Sequence, residues 1–194
     1  MKNLIIQLIG DLVTSIWCMW SNYRFRNTER FSKELQDDDK VSTYKDIQEL
    51  IIRLYSCFIW TADDITQLGD AITPPPQNYK TYLTKPLKDD CDGFHSLVYH
   101  CLYNSGIECY LLTANEIGGG HCVLTFNLND LWYVIDYNKI YGGFHDLKST
   151  VYDYNKHYTQ VYKCKEPIYN GFVKYNYDSG KFVRVDLIWG VYDI

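Results

Sequence analysis

The sequence has no Cys-x-x-Cys pair, no cluster of lysine and arginine interleaved with aromatics, and no apolar run of bilayer width free of polar interruption. Each absence removes a class of function. Without a basic patch, and with a net charge of −5, little long-range attraction pulls the chain toward a polyanion, so nucleic acid is not an expected partner. Cysteines stand at 18, 57, 91, 101, 109, 122 and 164, an odd number without paired spacing. That suits reduced thiols rather than a disulfide framework and predicts a reducing, cytoplasmic setting. The N-terminal MKNLIIQLIGDLVTSIWCMW is interrupted by Gln7 and Asp11 and followed by no small-residue cleavage site, so it is read as neither a membrane span nor a signal peptide. Prolines number only five, three of them consecutive at 74–76, and no internal repeat is visible.

What remains is a chain of 194 residues, 46% hydrophobic and carrying 19 tyrosines, long enough to bury one core. Ile5, Leu8, Ile9, Leu12, Ile16 and Trp17 recur at helical spacing, which predicts an amphipathic helix packed on the domain or a partner, with weak membrane-surface association of residues 1–20 as the lesser reading. A polar connector follows, so residues 1–40 are set apart from a domain at 41–194; the acids around Lys40 and Lys88 read as solvated surface. STYKDIQELIIRLYSCFIW predicts a capped helix with the stripe Ile47, Leu50, Ile51, Leu54, Tyr55 and Phe58. The triple proline predicts an extended surface loop.

In KDDCDGFHSLVYHCLYNSG, residues 88–106, the apolar positions Phe94, Leu97, Val98, Cys101 and Leu102 predict a buried helix that begins at Cys91 and exits at Gly106. Beyond it, IECYLLTA, GHCVLTFNL, LWYVIDY, TQVYKC, GFVKYNY and KFVRVDLIWGVY are short runs rich in β-branched and aromatic residues. Helices first and an antiparallel sheet afterwards make an α+β fold. The tyrosines clustered after residue 130 are assigned to a half-buried sheet surface, with a recognition surface as the alternative.

A cysteine at a helix N-terminus faces unpaired N–H groups and the positive end of the helix dipole, which favour thiolate. Asp89, Asp90 and Asp92 oppose that charge if they approach the sulfur, and make better sense as helix caps or an acidic rim. A thiol nucleophile needs a base and a group that orients it. Of the five histidines, His121 opens a strand after three glycines that leave room for a substrate; His95 lies one turn below Cys91, and His100, His145 and His157 are given no role. If Leu128 pairs with Leu131 across an Asn129-Asp130 turn, Asp136 faces Val123, and His121 lies diagonally from Asp136 on the same sheet face.

The order of Cys91 at a helix start, LVYHCLYNSGIECYLLTA, GHCVLTF and WYVIDY resembles the transglutaminase-like superfamily of papain-fold cysteine enzymes, especially its small bacterial protease-like branch, over about residues 80–140. The resemblance implies Cys91 as nucleophile, His121 as base and Asp136 as the orienting acid, acting on a protein or peptide amide through a thioester. Asp89 stands where the family often has glycine, and His95 where it often has alanine. The Cys91 N–H and an upstream side chain, Tyr82 or Gln77, are the candidate oxyanion donors. Two other functions fit the same pattern: a protein cross-linking transglutaminase, and an inactive module of this fold used for binding or assembly. A metal site built from Cys91, His95 and His121 or Cys122 is the chemical rival, but no second tight ligand pair supports it, and no cofactor is implied.

Overall fold

Helix α1 (Tyr44–Ser56) begins where the sequence supplies a cap: Thr43 Oγ1 accepts the Asp46 N–H at 3.2 Å, and the Asp46 carboxylate accepts the Thr43 N–H at 2.9 Å. The computed structural model describes residues 12, 15–16, 19–24, 35–61, 73–116, 119–161, 171–178 and 181–189. Ile47, Leu50, Ile51 and Leu54 of α1 are buried, as their spacing requires, while Tyr55 is exposed. The helix stops short of the expected end. Phe58–Trp60, whose aromatic and β-branched side chains favour extended backbone, instead forms strand β1, parallel to β2 (Leu87–Asp89) in a two-stranded sheet.

The prolines do not form a loop. Helix α2 (Pro75–Tyr82) places two of them in its first turn, where a missing N–H costs nothing and the fixed φ is already helical, and the Pro74 carbonyl accepts the N–H groups of Gln77 and Asn78. Strand β2 then feeds through Asp90 into α3 (Cys91–Asn104), which ends with Gly106 at φ 81° as expected.

Six antiparallel strands follow: β3 (Cys109–Glu116), β4 (Gly119–Leu128), β5 (Leu131–Asp136), β6 (Lys139–Phe144), β7 (Gly171–Asp178) and β8 (Lys181–Trp189), in the order β6-β5-β4-β3-β7-β8. The fold is α+β. Asn129 and Asp130 both have positive φ, 54° and 62°, and Leu128 pairs with Leu131 in the anticipated register. Strand β6 and helix α4 (Leu147–Val161) lie in the tyrosine-rich stretch expected to form a half-buried sheet surface; α4 departs from that expectation and takes the first residues of the expected TQVYKC strand, whose remainder lies outside the described residues. Asp146 starts α4 by accepting the Ser149 N–H at 2.7 Å, and Val151 and Tyr154 are buried on its inner face.

The sheet is covered on both sides. Leu111, Cys122, Leu124, Phe126 and Ile135 pack with Phe94, Leu97 and Val98 of α3 and with the α1 stripe; Leu112, Val123 and Val134 face Val151 and Tyr154 of α4. One expected surface acid is in the interior: Asp39 is fully buried, accepting Arg53 Nη1 at 2.5 Å and the Tyr79 hydroxyl at 2.7 Å, and it ties the 3-10 turn Asp37–Asp39 to α1 and α2.

Of the N-terminal stripe, Leu12 and Ile16 sit in helical backbone but are 60% and 56% exposed; Ile5, Leu8, Ile9 and Trp17 lie outside the described residues. Asn22 reaches strand β8, its Nδ2 donating to the Phe182 carbonyl at 3.0 Å and its Oδ1 accepting the Phe182 N–H at 2.8 Å. No helix among the described residues is long and apolar enough to cross a membrane.

Candidate active site

Cys91 owes its place to its neighbours. The Asp90 carboxylate caps α3 by accepting the Asp92 N–H at 3.1 Å, and Asp89 Oδ1 accepts the Asp90 N–H at 3.1 Å. Of the three acids Asp90 is thus the helix cap, and Asp89 holds the backbone of that cap residue. Gly93 lies so close under Asp89 that a methyl group there would fall on the carboxyl carbon, so the turn closes only around glycine. The carboxylates of Asp89, Asp90 and Asp92 lie within 4.8 Å of one another, near enough to share a cation.

Side-chain alternation puts His121 and Asp136 on the sheet face covered by α4, whereas Cys91 arrives on a helix packed against the other face. They approach where the ladder ends. The β4–β5 pairing runs from Leu128↔Leu131 to Leu124↔Ile135, and one further step sets Asp136 across from Val123, with His121 diagonal to it. There His121 Nε2 lies 3.0 Å from Asp136 Oδ1, both side chains being 11% exposed. The peptide joining His121 to Cys122 meets the thiol, the Cys122 N–H pointing at Cys91 Sγ across 3.4 Å. An Nε2–H donating to the carboxylate makes Nδ1 the basic nitrogen of a neutral His121.

Asp136 is held from a second side, its Oδ2 accepting the Tyr154 hydroxyl of α4 at 3.1 Å. Burial acts to raise the pKa of this carboxyl, but the hydrogen bond and charge of His121, with lesser help from His95 and Tyr154, outweigh it and hold the group below the usual carboxylate range.

No family model matches the chain, and no curated protein matches it. Among solved structures, it is similar to EGTA-treated LapG of Legionella pneumophila, with 21% identity and a TM-score of 0.40, over 54% of this chain and 59% of that one. The likeness spans little more than half of either chain.

The Tyr82 hydroxyl accepts Arg53 Nη1 at 2.8 Å, within the Asp39 network, and Gln77 is exposed on α2, hydrogen-bonded among the described residues only through its backbone. His95 is fully buried, with Nδ1 2.5 Å from the Cys91 carbonyl and Nε2 accepting the Tyr137 N–H at 3.0 Å. Both of its nitrogens are thereby occupied, which removes it from the metal set considered with Cys91.

Three participants escaped the sequence: Tyr154, the Cys122 N–H and Tyr137. Tyr154 is one tyrosine among many, and only the Asp146 cap and the spacing of Leu147, Val151 and Tyr154 signalled its helix. Tyr137 adopts φ 51° immediately after Asp136, and its ring lies between those of Phe94, His95 and His121.

Proposed function

We propose that this chain is a transglutaminase-like cysteine enzyme that hydrolyses amide bonds of a protein or peptide substrate, with Cys91 as nucleophile, His121 as base and Asp136 as the orienting acid. The observation that carries the reading is the 3.0 Å His121–Asp136 hydrogen bond beside a sulfur seated on the peptide that follows His121. The Cys122 N–H and the start of α3 favour negative charge on that sulfur.

In the reaction His121 Nδ1 takes the Cys91 thiol proton, and the thiolate so formed attacks the carbonyl carbon. A C–S bond forms, and the π pair moves to oxygen, which the Cys91 N–H stabilises. The C–N bond then breaks as His121 gives its proton to the departing amine, leaving a thioester. Water attacks the thioester while His121 takes its proton, and the thiolate leaves as the acid product is released. Asp136, itself held by Tyr154, fixes the ring orientation through both steps.

Iodoacetamide labelling of the native protein from pH 5 to 9, with the modified cysteine located by mass spectrometry, tests the assignment. Fast labelling at Cys91 near neutral pH, slowed in His121→Ala, is expected. Labelling at Cys91 no faster than at the six other cysteines and indifferent to His121 refutes it and leaves a binding module.

A further inference from the structure

One ring spans the two halves of the site. His95 stands a single helical turn after Cys91, and its Nδ1 reaches back to the Cys91 carbonyl at 2.5 Å. Its Nε2 accepts the Tyr137 N–H at 3.0 Å, and Tyr137 is the residue after Asp136. A backbone N–H only donates, so Nε2 is the acceptor, and a neutral ring then carries its proton on Nδ1, where the carbonyl takes it. The two bonds demand the same tautomer.

The ring has no route to water. It is fully buried, edge-on to Phe94 at 5.3 Å between centroids, perpendicular to His121 at 6.3 Å and tilted against Tyr137 at 5.3 Å. Its charged neighbours are Asp136, Asp90 and, when protonated, His121. Desolvation dominates over the two carboxylates and pulls its pKa down to about 4, so His95 stays neutral where enzymes ordinarily work.

Cys91 belongs to a helix packed on one face of the sheet, whereas the Asp136 side chain projects from β5 toward the other, and the Tyr137 backbone is in the left-handed region, which a bulky residue holds only when its surroundings fix it. We infer that His95 is a positioning residue for the proposed reaction: as a neutral bridge it fastens the first turn of α3 to the turn after Asp136, so that the thiol and the His121–Asp136 pair keep one geometry. This rests on the assignment of Cys91 as nucleophile and adds a residue that touches neither substrate nor the reacting atoms. An imidazole in this place does what an aromatic hydrocarbon of similar shape does not, satisfying one backbone carbonyl and one backbone N–H together.

Two measurements test it. Long-range proton–nitrogen spectra of the 15N-labelled wild type report the His95 tautomer directly: an Nδ1–H ring unchanged from pH 5 to 9 is expected, and an Nε2–H ring or one that titrates in that range overturns the inference. The iodoacetamide rate of Cys91 against pH is then compared in wild type, His95→Phe and His95→Gln. His95→Phe keeps the ring packing and loses both bonds; labelling is expected to slow by about ten- to a hundredfold, as for small misplacements of reacting groups. His95→Gln, whose amide oxygen reaches the Tyr137 N–H, is expected to recover part of that loss. A thiol that is inert in wild type overturns both this inference and the proposed function. A reactive, His121-dependent thiol that keeps its rate and pH midpoint in His95→Phe overturns this inference alone. Should His95→Phe fail to fold, the wild-type tautomer decides, an Nδ1–H ring unchanged from pH 5 to 9 supporting the bridge and any other state refuting it.

Discussion

Replacing Tyr154 by phenylalanine removes one oxygen atom and leaves nearly everything else in place. The ring stays packed in the α4 core, edge-on to Tyr141 at 5.3 Å, so no cavity of consequence opens. What disappears is the hydroxyl that donates to Asp136 Oδ2 at 3.1 Å, a bond to a carboxylate in a nearly dry site. Hydrogen bonds to charged groups contribute about 1.5–3 kcal/mol, and this one is long for an O–H donor, which sets the expected loss at about 1.5–2 kcal/mol. For a chain of this length, each kcal/mol moves Tm by about 2–4 °C, so calorimetry at pH 7 should find a fall of about 3–8 °C. The pH dependence has a definite sign. The bond helps hold the Asp136 pKa down in the folded state, so its contribution is present above the ordinary carboxylate range and fades as pH falls through the lowered folded value. The Tm difference between Tyr154→Phe and wild type should therefore be full at pH 7 and shrink below the ordinary carboxylate range, compared at the lowest pH at which both proteins fold. An unchanged Tm at pH 7, or an equal deficit at both pH values, would show that Tyr154 does not support the ionised carboxylate.

Gly93→Ala should reverse the usual preference for alanine in a helix, because the new methyl meets the Asp89 carboxyl group and forces the first turn of α3 to shift; thermal unfolding should show a loss of about 1–3 kcal/mol where propensity alone promises a gain of about 1. Asp39→Asn should lower the urea midpoint by the equivalent of about 2–3 kcal/mol, less than for a fully buried pair because the Arg53 side chain remains 38% exposed; a midpoint within error of wild type would mean that Asp39 is not the anchor of residues 36–39.

The sequence was most legible where one physical preference acted alone. Period-3.6 burial and a Ser/Thr cap announced α1, the turn at Asn129-Asp130 set the β4–β5 register, and from that register alone His121 and Asp136 came out as diagonal neighbours, as they are. Where two preferences competed, the weaker rule was easily over-read. Proline forbids a helix interior but suits a first turn, and only the surrounding fold decides which of these Pro75 and Pro76 occupy. Tyr152, Tyr154 and Tyr158 argued for extended backbone, and the Asp146 cap together with packing of Val151 and Tyr154 on the sheet overrode them. Asp39 could not be placed from sequence because its partners Arg53 and Tyr79 lie 14 and 40 residues away. The thiol's contact with the Cys122 N–H and the bridge through His95 were likewise beyond a pattern argument, since each joins α3 to a strand end through backbone atoms that no residue type advertises.

Strand β8 ends the sheet, and a terminal strand offers its outward N–H and C=O groups to any other extended chain that comes near. The Asn22 side chain has the donor and acceptor of a peptide in miniature, and by binding the Phe182 carbonyl and N–H together it occupies one rung of that open ladder. At that rung Asn22 takes the place of a neighbouring strand, so an added strand can pair with Phe182 only after Asn22 leaves it.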